Sequence, residues 1–462
     1  MTKKTRNIIF LILLLLFLIA SPAAVMYGLG WRFDWKTKKL IQPGIFYFKT
    51  WPKGCQIYIN NVLKKKTDIF FGAASVENLM PGNYDLEIKK EGYHSWKKNL
   101  LILKRQVTKA ENIVLIPKNP AIALLSKNTE SFFFSPDEKK IVIKEKDSPE
   151  TDWSLKLIET KNDIKSHLIS QQDLRLGVLS PKGKGEPEEI ELIDLEFSQD
   201  SKKILLSLGA KEKIHYFVLD IKTKEITPLE TTRAEKVFFD PENSNSLIAL
   251  SDWEIKRIAP EQILLQDVVA AAIEDKNIYY IDKQGFIYKT GLDNEHQERI
   301  NIIPFEIKEE IKYELYATDN NILLKESQTL YFFDKEKMAF EKLLDPAKDF
   351  ALCQDNKKIA YFNNNEIWVV FLQEKYEQPQ KNKGEKTFIN RFSENIGDLF
   401  WYTENYLIFN LQDKIKITEI DDRDNINIVD LAEFKEPEIF FANKKLYVLS
   451  ENSFYASEEL IP

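Results

Sequence analysis

A strand–turn–strand unit recurs along most of the sequence and constrains the fold more than any other feature. Its clearest copy, residues 132–143, joins an aromatic run to a β-branched run through a polar segment, and residues 195–206 are a degenerate copy. Pro136 sets φ for a turn, and Asp137 can accept a backbone hydrogen bond two residues on. Aromatic and β-branched flanks suit pleated strands. Each copy is therefore predicted to be a β-hairpin.

Weaker copies of this unit continue almost to residue 462. The first strands of the units are predicted near Phe132, Leu195, Val237, Val269, Tyr313, Phe350, Leu399 and Ile439. Their spacing averages about 43–44 residues, the length of one four-stranded propeller blade. The predicted fold class is mainly β, with a seven- or eight-bladed β-propeller over residues 118–462. Seven blades result if the short unit at Val237 merges with a neighbour.

The last unit, residues 439–458, contains only three apparent strands. The strand at residues 121–125 precedes the first unit and has no other evident role. We expect it to supply the fourth strand and close the ring, because closure removes exposed sheet edges.

The N-terminal segment is predicted to span a membrane. Residues 7–31 carry no charge and follow three cations, Lys3, Lys4 and Arg6. This length is enough to cross the hydrocarbon core. Residues 1–31 are therefore interpreted as a cytoplasmic tail and transmembrane anchor, with residues 8–30 in the membrane. The alternative is a cleaved signal peptide, which would leave a soluble periplasmic or secreted scaffold.

The orientation follows from the size of the two flanks. Four cations follow the apolar segment, so the positive charge does not by itself set the direction. Large C-terminal domains translocate largely regardless of charge, and the N-terminal tail is too short to be a domain. The chain is therefore expected to be a single-pass membrane protein with residues 32–462 outside the cytoplasm, at the cell envelope or surface.

Residues 43–117 are predicted to form a separate small β domain. Tyr84, Leu86 and Ile88 alternate with charged residues, which is typical of a strand with one buried face. Pro81-Gly82 is predicted to form a type II turn before this strand.

Two family resemblances support this division. Residues 44–117 resemble the PEGA domain in the segments Pro52-Lys53-Gly54-Cys55, Gln56-Ile57-Tyr58-Ile59-Asn60, Leu79-Met80-Pro81-Gly82-Asn83-Tyr84 and Lys90-Glu91-Gly92-Tyr93. That resemblance implies a β-sandwich, a surface setting and no catalytic residue. The segment Phe134-Ser135-Pro136-Asp137 is similar to the repeat of TolB-type and WD40-like propellers, which mostly serve as binding scaffolds.

Charge and residue usage argue against several function classes. The net charge is −7 and no basic patch stands out, so nucleic-acid binding is not expected. Cys55 and Cys353 are expected to be free buried thiols. The four histidines are scattered, so neither a metal site nor a cofactor is expected. No motif for a catalytic nucleophile occurs, and the chain is expected not to be an enzyme.

Several polar segments remain candidates for contacts. Lys64-Lys65-Lys66 is interpreted as a solvated loop, with a lipid-headgroup or polyanion contact as the alternative. The acidic loop 421–425 lacks the Gly and final Glu of a calcium loop, so a plain turn is expected. The insertions at residues 171–190 and 373–388 are expected to be solvated loops.

The sequence therefore predicts a membrane-anchored, extracytoplasmic binding or scaffold protein of the cell envelope, with the propeller as recognition platform. Its expected partners are the membrane, through residues 8–30, and an envelope protein or cell-wall polymer, through the propeller loops. No catalytic, cofactor or metal residue is assigned. The alternative is a propeller hydrolase acting on envelope glycans or peptides, with carboxylates brought together at the central face.

Overall fold

A computed structural model describes most of the chain. The described residues are 3–35, 38–147, 152–174, 190–210, 213–229, 234, 236–241, 243–258, 261–274, 276–292, 296–318 and 321–461. Within these ranges the chain is mainly β with one long N-terminal helix, as predicted.

The N-terminal helix α1 is Lys3–Gly28. It has 26 residues, an 18-residue stretch with a mean hydropathy of 3.0, and no residue buried within the protein. At about 1.5 Å per residue it is long enough to cross a bilayer. Its length, composition and position suit a membrane anchor and a signal sequence alike. A short hairpin follows, with strands β1 Arg32–Asp34 and β2 Lys39–Ile41.

The small domain is a sandwich of two sheets. Its strands are β3 Gly44–Trp51, β4 Gln56–Ile59, β5 Val62–Lys66, β6 Ala73–Leu79, β7 Gly82–Lys89, β8 Trp96–Ile102 and β9 Val107–Val114. The sheet orders are β6-β3-β9 and β5-β4-β7-β8, with β3 and β9 parallel. Alternate residues of each sheet, such as Phe46, Phe48, Ile57 and Ile88, meet in one core. The sandwich therefore has β5 and β6 at one edge and β8 and β9 at the other.

The start of β7 differs in detail from the prediction. Gly82 has φ of +150° and is the first residue of the strand. A type II turn places its glycine near +80°, so the positive φ is present but the predicted turn type is wrong.

Eight further sheets of four strands follow among the described residues, and they are the blades of a β-propeller. Strand β10, Ile122–Lys127, comes before the first blade. Blade 1 contains β11 Thr129–Phe134, β12 Lys140–Lys146, β13 Trp153–Glu159 and β14 Ile164–Ser170, and blade 2 contains β15 Glu191–Phe197, β16 Lys203–Ala210, β17 Lys213–Asp220 and β18 Ile226–Leu229. Blade 3 contains β19 Lys236–Asp240, β20 Asn243–Ser251, β21 Glu254–Arg257 and β22 Gln262–Leu265, and blade 4 contains β23 Val268–Glu274, β24 Asn277–Asp282, β25 Ile287–Gly291 and β26 Glu298–Arg299. A short helix α2, Gln171–Leu174, follows blade 1.

The second half of the ring has the same organisation. Blade 5 contains β27 Tyr313–Ala317, β28 Ile322–Glu326, β29 Thr329–Asp334 and β30 Ala339–Leu344, and blade 6 contains β31 Asp349–Leu352, β32 Lys358–Phe362, β33 Glu366–Phe371 and β34 Lys386–Arg391. Blade 7 contains β35 Ile396–Thr403, β36 Tyr406–Leu411, β37 Lys414–Glu419 and β38 Ile428–Glu433. Blade 8 contains β39 Glu438–Ala442, β40 Lys445–Ser450 and β41 Ser453–Ser457, together with β10. Each of the eight predicted first strands begins its own sheet, so Val237 does not merge with a neighbour.

The ring closes as predicted. Strand β10 pairs antiparallel with β41, with Ile122 opposite Ser457. Side chains reinforce this closure, because Ile141 and Ile143 of blade 1 share a core with Tyr447 and Phe454 of blade 8. Because blade 8 takes its fourth strand from the segment before blade 1, this pairing joins the two ends of the ring and covers the edge of β41.

The turn of the first unit behaves as its sequence predicted. Asp137 accepts a hydrogen bond from the backbone N–H of Lys139 at 3.1 Å and from the Ser135 hydroxyl at 2.6 Å. Glu138 has φ of +54°, a left-handed conformation that usually favours glycine. The side-chain bonds of Asp137 therefore hold a turn that has no glycine.

Candidate functional site

The first strands of the blades surround a central channel. First strands of neighbouring blades contact one another, for example β23 with β27 and β35 with β39. Aromatic rings join them: Phe134 of β11 stacks on Phe440 of β39 at 4.3 Å, and Phe440 lies 5.1 Å from Phe400 of β35. A propeller has its channel at this position, and its wall here is rich in aromatic side chains.

A cavity of about 660 Å³, here called cavity A, opens along the first strands of blades 3 to 6. Its wall includes Phe238, Trp253, Tyr316 and Phe350. The rings of Tyr316 and Phe350 meet edge to face at 4.9 Å. Thr318 and Asn321 add polar groups. Apolar walls with a few polar groups are typical of ligand sites of this volume.

A second cavity of about 570 Å³, cavity B, continues along blades 6 to 8. It shares Phe350 and Leu352 with cavity A, so the two are neighbours on the channel wall. Its wall also contains Phe400, Trp401 and the carboxylate of Asp398.

Three carboxylates at the first strands have raised pKa values. Burial raises the pKa of Glu196 in blade 2 to about 7, and the nearby Lys236 ammonium opposes this shift. Burial also raises the pKa of Asp398, whose carboxylate accepts a hydrogen bond from the Ile439 N–H at 3.0 Å. Partial burial and then the neighbouring Asp398 raise the pKa of Glu438. Raised carboxyl pKa values favour proton donors near neutral pH.

A buried ion pair joins the small domain to blade 7. Lys98 of β8 lies 2.9 Å from Glu419 at the end of β37, with side-chain exposures of 0% and 4%. The ammonium also donates to the carbonyl oxygens of Asp421 at 2.6 Å and Asn425 at 2.7 Å. Each of its three N–H groups therefore has an acceptor. We call Lys98, Glu419 and loop 421–425 the latch.

Glu419 is held from several sides. Its carboxylate accepts hydrogen bonds from Trp96 Nε1 at 2.8 Å and from the backbone and side-chain nitrogens of Asn427. Burial raises the pKa of Glu419, and the Lys98 ammonium opposes this. The acidic loop expected to be a plain turn is thus bound to a cation, but the cation is a lysine of the neighbouring domain.

The insertion at residues 373–388 also contacts the small domain. Gln378 accepts a hydrogen bond from the N–H of Lys109 at 2.8 Å and donates one to the carbonyl of Val107 at 3.1 Å. Lys381 bridges to Asp422 at 2.6 Å, which ties the insertion to the latch loop. The expectation of a solvated loop is therefore wrong for this segment. Most of the other insertion, residues 171–190, lies outside the described residues.

The histidines and cysteines do not form a site. His94 lies in the small domain, and His167, His215 and His296 lie in or beside blades 1, 2 and 4. Cys55 and Cys353 are free and buried. Burial raises the pKa of both thiols, that of Cys353 to about 12. No group of three or more His, Cys, Asp or Glu side chains suited to a metal ion occurs in the described part of the chain.

Sequence analysis missed Lys98, although the sequence contains a signal for it. Strand β8 alternates buried and exposed residues, and Lys98 falls in the buried register with Trp96, Leu100 and Ile102. A lysine in the buried register of a strand requires an anionic partner. That partner, Glu419, is 321 residues away in the sequence, so spacing could not identify it.

Comparison with known proteins identifies no relative by sequence. No protein-family model matches the chain, and no curated protein gives a significant match. Solved structures with similarity include BamB from Moraxella catarrhalis (11% identity, TM-score 0.44, 73% of this chain and 100% of that chain), a eukaryotic initiation factor (12%, 0.44, 72% and 86%) and the computationally designed Ika8 protein (13%, 0.43, 72% and 96%). At these TM-scores, the propeller assignment rests on the strand pairing of this chain.

Proposed function

We propose that the protein is a membrane-anchored scaffold of the cell envelope that holds its propeller outside the cytoplasm and binds a partner at the central channel. The observation that carries this proposal is cavity A, a recess of about 660 Å³ whose wall presents Phe238, Trp253 and Tyr316. Aromatic side chains in a preformed recess bury large area at low entropic cost. The partner is an envelope protein or a cell-wall polymer, both of which offer flat or apolar groups for such rings.

The extracytoplasmic setting is part of the proposal. It is supported by the composition of α1 and by the resemblance of residues 44–117 to the PEGA domain, which implies a surface setting. Carbonate extraction tests it: the full chain should stay with the membrane, and a chain starting at Gln42 should not. If the full-length product is shortened and washes off, α1 is a cleaved signal sequence.

We propose binding without catalysis. Both cysteine thiols are buried with raised pKa values, which makes them poor nucleophiles. The Asp398 carboxylate also has a structural role, because it binds the N–H of Ile439 and so ties blade 7 to blade 8.

The hydrolase alternative has one specific observation in its favour. Asp398 lines cavity B, and both it and the neighbouring Glu438 have raised pKa values. Glycoside hydrolysis uses a carboxylic acid of raised pKa together with a second carboxylate.

One experiment separates the two functions. Full-length protein in mild detergent is immobilised and incubated with cell-wall fragments and with envelope extract, and both retention and released products are measured. Tyr316→Ala should lower retention about ten-fold, as expected for an aromatic anchor, whereas Tyr376→Ala removes an exposed tyrosine outside the channel and should change nothing. Retention that is equal in the two variants contradicts the channel as binding site. Release of sugars or peptides that stops in Asp398→Asn supports the hydrolase instead.

A further inference from the structure

One loop of the small domain keeps three consecutive large apolar side chains in water. Ile69, Phe70 and Phe71 are exposed by 72%, 73% and 78%. They form the turn between β5 and β6, here called the apolar tip. A contiguous exposed apolar group of this kind marks an interaction surface more often than a scattered apolar residue does.

The apolar tip is held rigidly in this exposed form. The Asp68 carboxylate accepts hydrogen bonds from the N–H groups of Phe70, Phe71 and Ala73 at 2.6–2.8 Å. Gly72 closes the loop with φ of +70°, and a Cβ there would lie 2.4 Å from the carbonyl oxygen of Thr50. These contacts fix the backbone of the loop with its apolar side chains directed away from the domain, where a second surface can contact them.

The surroundings of the apolar tip are basic. Lys64, Lys65 and Lys66 precede it on β5, every residue of which is exposed, and Val62 and Leu63 begin the same strand. Lys53 packs beside Gly72 and is also exposed. The one acidic side chain in the loop, Asp68, has its charge directed to backbone N–H groups, which lower its pKa. Apolar side chains flanked by lysines are complementary to a bilayer surface with anionic headgroups.

The position of the apolar tip keeps it clear of the propeller. It joins β5 to β6, the edge strands of the two sheets. The propeller contacts the opposite edge, where Lys98 of β8 and Lys109 of β9 meet blade 7 and the 373–388 insertion. A surface laid against the β5/β6 edge can therefore reach the tip without meeting the ring.

The distance from the anchor sets the orientation. The chain from α1 enters the domain at Gly44, and the tip lies at the other end of β3, where the Thr50 N–H bonds the Gly72 carbonyl at 2.9 Å. Eight residues of strand span about 26 Å. Both ends of β3 can reach one bilayer only if this strand runs along the membrane plane. The hairpin after α1 carries exposed Phe33 and Trp35 at the Gly44 end.

We propose that the apolar tip enters the interface of the bilayer that holds α1, with Lys64, Lys65 and Lys66 against anionic lipid headgroups. The small domain then lies on its β5/β6 edge and carries the propeller on the side away from the membrane. This inference rests on the proposed membrane anchoring, but its test separates the two.

The test uses the full chain in lipid nanodiscs that hold one copy each. Phe70→Cys is labelled with an environment-sensitive fluorophore, and Ile302→Cys, at a propeller residue that is 66% exposed, is the matched control. The native Cys55 and Cys353 are buried, so the fluorophore should label them little and add little background signal. Quenching is measured with spin-labelled lipid and with aqueous iodide. The label at position 70 should be quenched several-fold more by the lipid, and several-fold less by iodide, than the label at position 302.

The lysines are tested in the same discs. Anionic lipid should increase the lipid quenching at position 70, and the triple change K64Q/K65Q/K66Q should remove that increase but leave the quenching in neutral lipid. Equal behaviour of positions 70 and 302 overturns the proposal. Protection from iodide without lipid quenching also overturns it and assigns the tip to a protein surface. If carbonate releases the chain, anchoring fails, and flotation of the released protein on anionic vesicles still decides whether the tip binds lipid.

Discussion

Replacing Lys98 by methionine should open the junction between the small domain and the propeller. The substitution keeps the length and apolar stem of the side chain but removes the cation. It leaves the Glu419 carboxylate, which is 4% exposed, without its ion-pair partner at 2.9 Å. It also leaves the carbonyl groups of Asp421 and Asn425 without their shared donor.

The expected loss is about 3 kcal/mol. Removing one partner of a buried ion pair costs about 3–5 kcal/mol, because the remaining charge stays desolvated. The lower end applies because Trp96 Nε1 and both nitrogens of Asn427 still donate to Glu419. Without Lys98 the pKa of Glu419 rises further above its unfolded value, so the carboxyl group becomes neutral at low pH. The loss should therefore be larger at pH 8 than at pH 5.

Hydrogen exchange at the junction measures this loss directly. The Asn99 N–H donates to the Asp424 carboxylate at 2.7 Å across the two domains, so its exchange reports opening. A loss of about 3 kcal/mol should speed this exchange about 150-fold. The control is Lys97→Met: this neighbour on β8 is 66% exposed and pairs with Glu87 of its own domain, and its loss should leave the Asn99 amide unchanged.

The double variant Lys98→Met/Glu419→Met sharpens the result. It removes both charges and should bring the exchange rate part of the way back to that of the unaltered protein, because no unpaired charge stays buried. The recovery is partial because the donors of Trp96 and Asn427 lose the Glu419 carboxylate. If Lys98→Met and Lys97→Met exchange alike at Asn99, the latch does not hold the junction, and the reasoning from burial is refuted.

Three further changes test the ring, the channel and the small domain. Leu125→Asp puts a carboxylate against the core that closes the ring and should lower stability in a urea melt by about 2–4 kcal/mol; Leu124→Asp, at a site 46% exposed, should not, and equal losses would contradict closure by this strand. Burial raises the pKa of Glu196 from 4.5 to about 7 in the folded protein, so the free energy of unfolding should fall as the pH rises from about 4.5 to 7. Glu196→Gln should remove that fall and add up to about 3 kcal/mol of stability at pH 8. A stability that does not change over this pH range in the unaltered protein would contradict the burial of Glu196. In a urea melt, Gly72→Ala should destabilise the small domain by about 2 kcal/mol more than Gly92→Ala. Both glycines have positive φ, but only a Cβ at position 72 would meet the Thr50 carbonyl. Similar losses in the two variants would show that the backbone strain of positive φ is the whole cause.

The repeat was predictable because its information is local. A turn that Asp137 holds with its own side chain forms from neighbouring residues, and an apolar first strand returns once per blade length, on average, from Phe132 to Ile439. Ring closure was predictable for a different reason: the last unit, residues 439–458, contained only three apparent strands, and the strand at residues 121–125 belonged to no unit. Both inferences need only the order of elements along the chain.

The junction was not predictable because its contacts are distant in sequence and look ordinary one by one. The acidic loop 421–425 resembled an incomplete cation site, and its cation is an ammonium that arrives from another domain. The insertion around Gln378 has the composition of a solvated loop, yet its amide bonds the edge of β9. A polar composition shows that a segment is compatible with solvent, but it does not show whether another surface of the protein packs against that segment.

The latch and the apolar tip lie at opposite edges of one sandwich, and this makes them separable. Lys98 points from β8 toward the propeller, whereas Phe70 points into solvent at the β5/β6 edge. If the small domain is a bracket that fixes the propeller relative to the bilayer, breaking the latch frees the ring without moving the tip. In Lys98→Met, the Asn99 amide should exchange faster while lipid quenching of the label at position 70 stays unchanged. A parallel loss of quenching would show instead that the propeller contacts hold the domain against the membrane, and that the tip binds lipid too weakly to orient it alone.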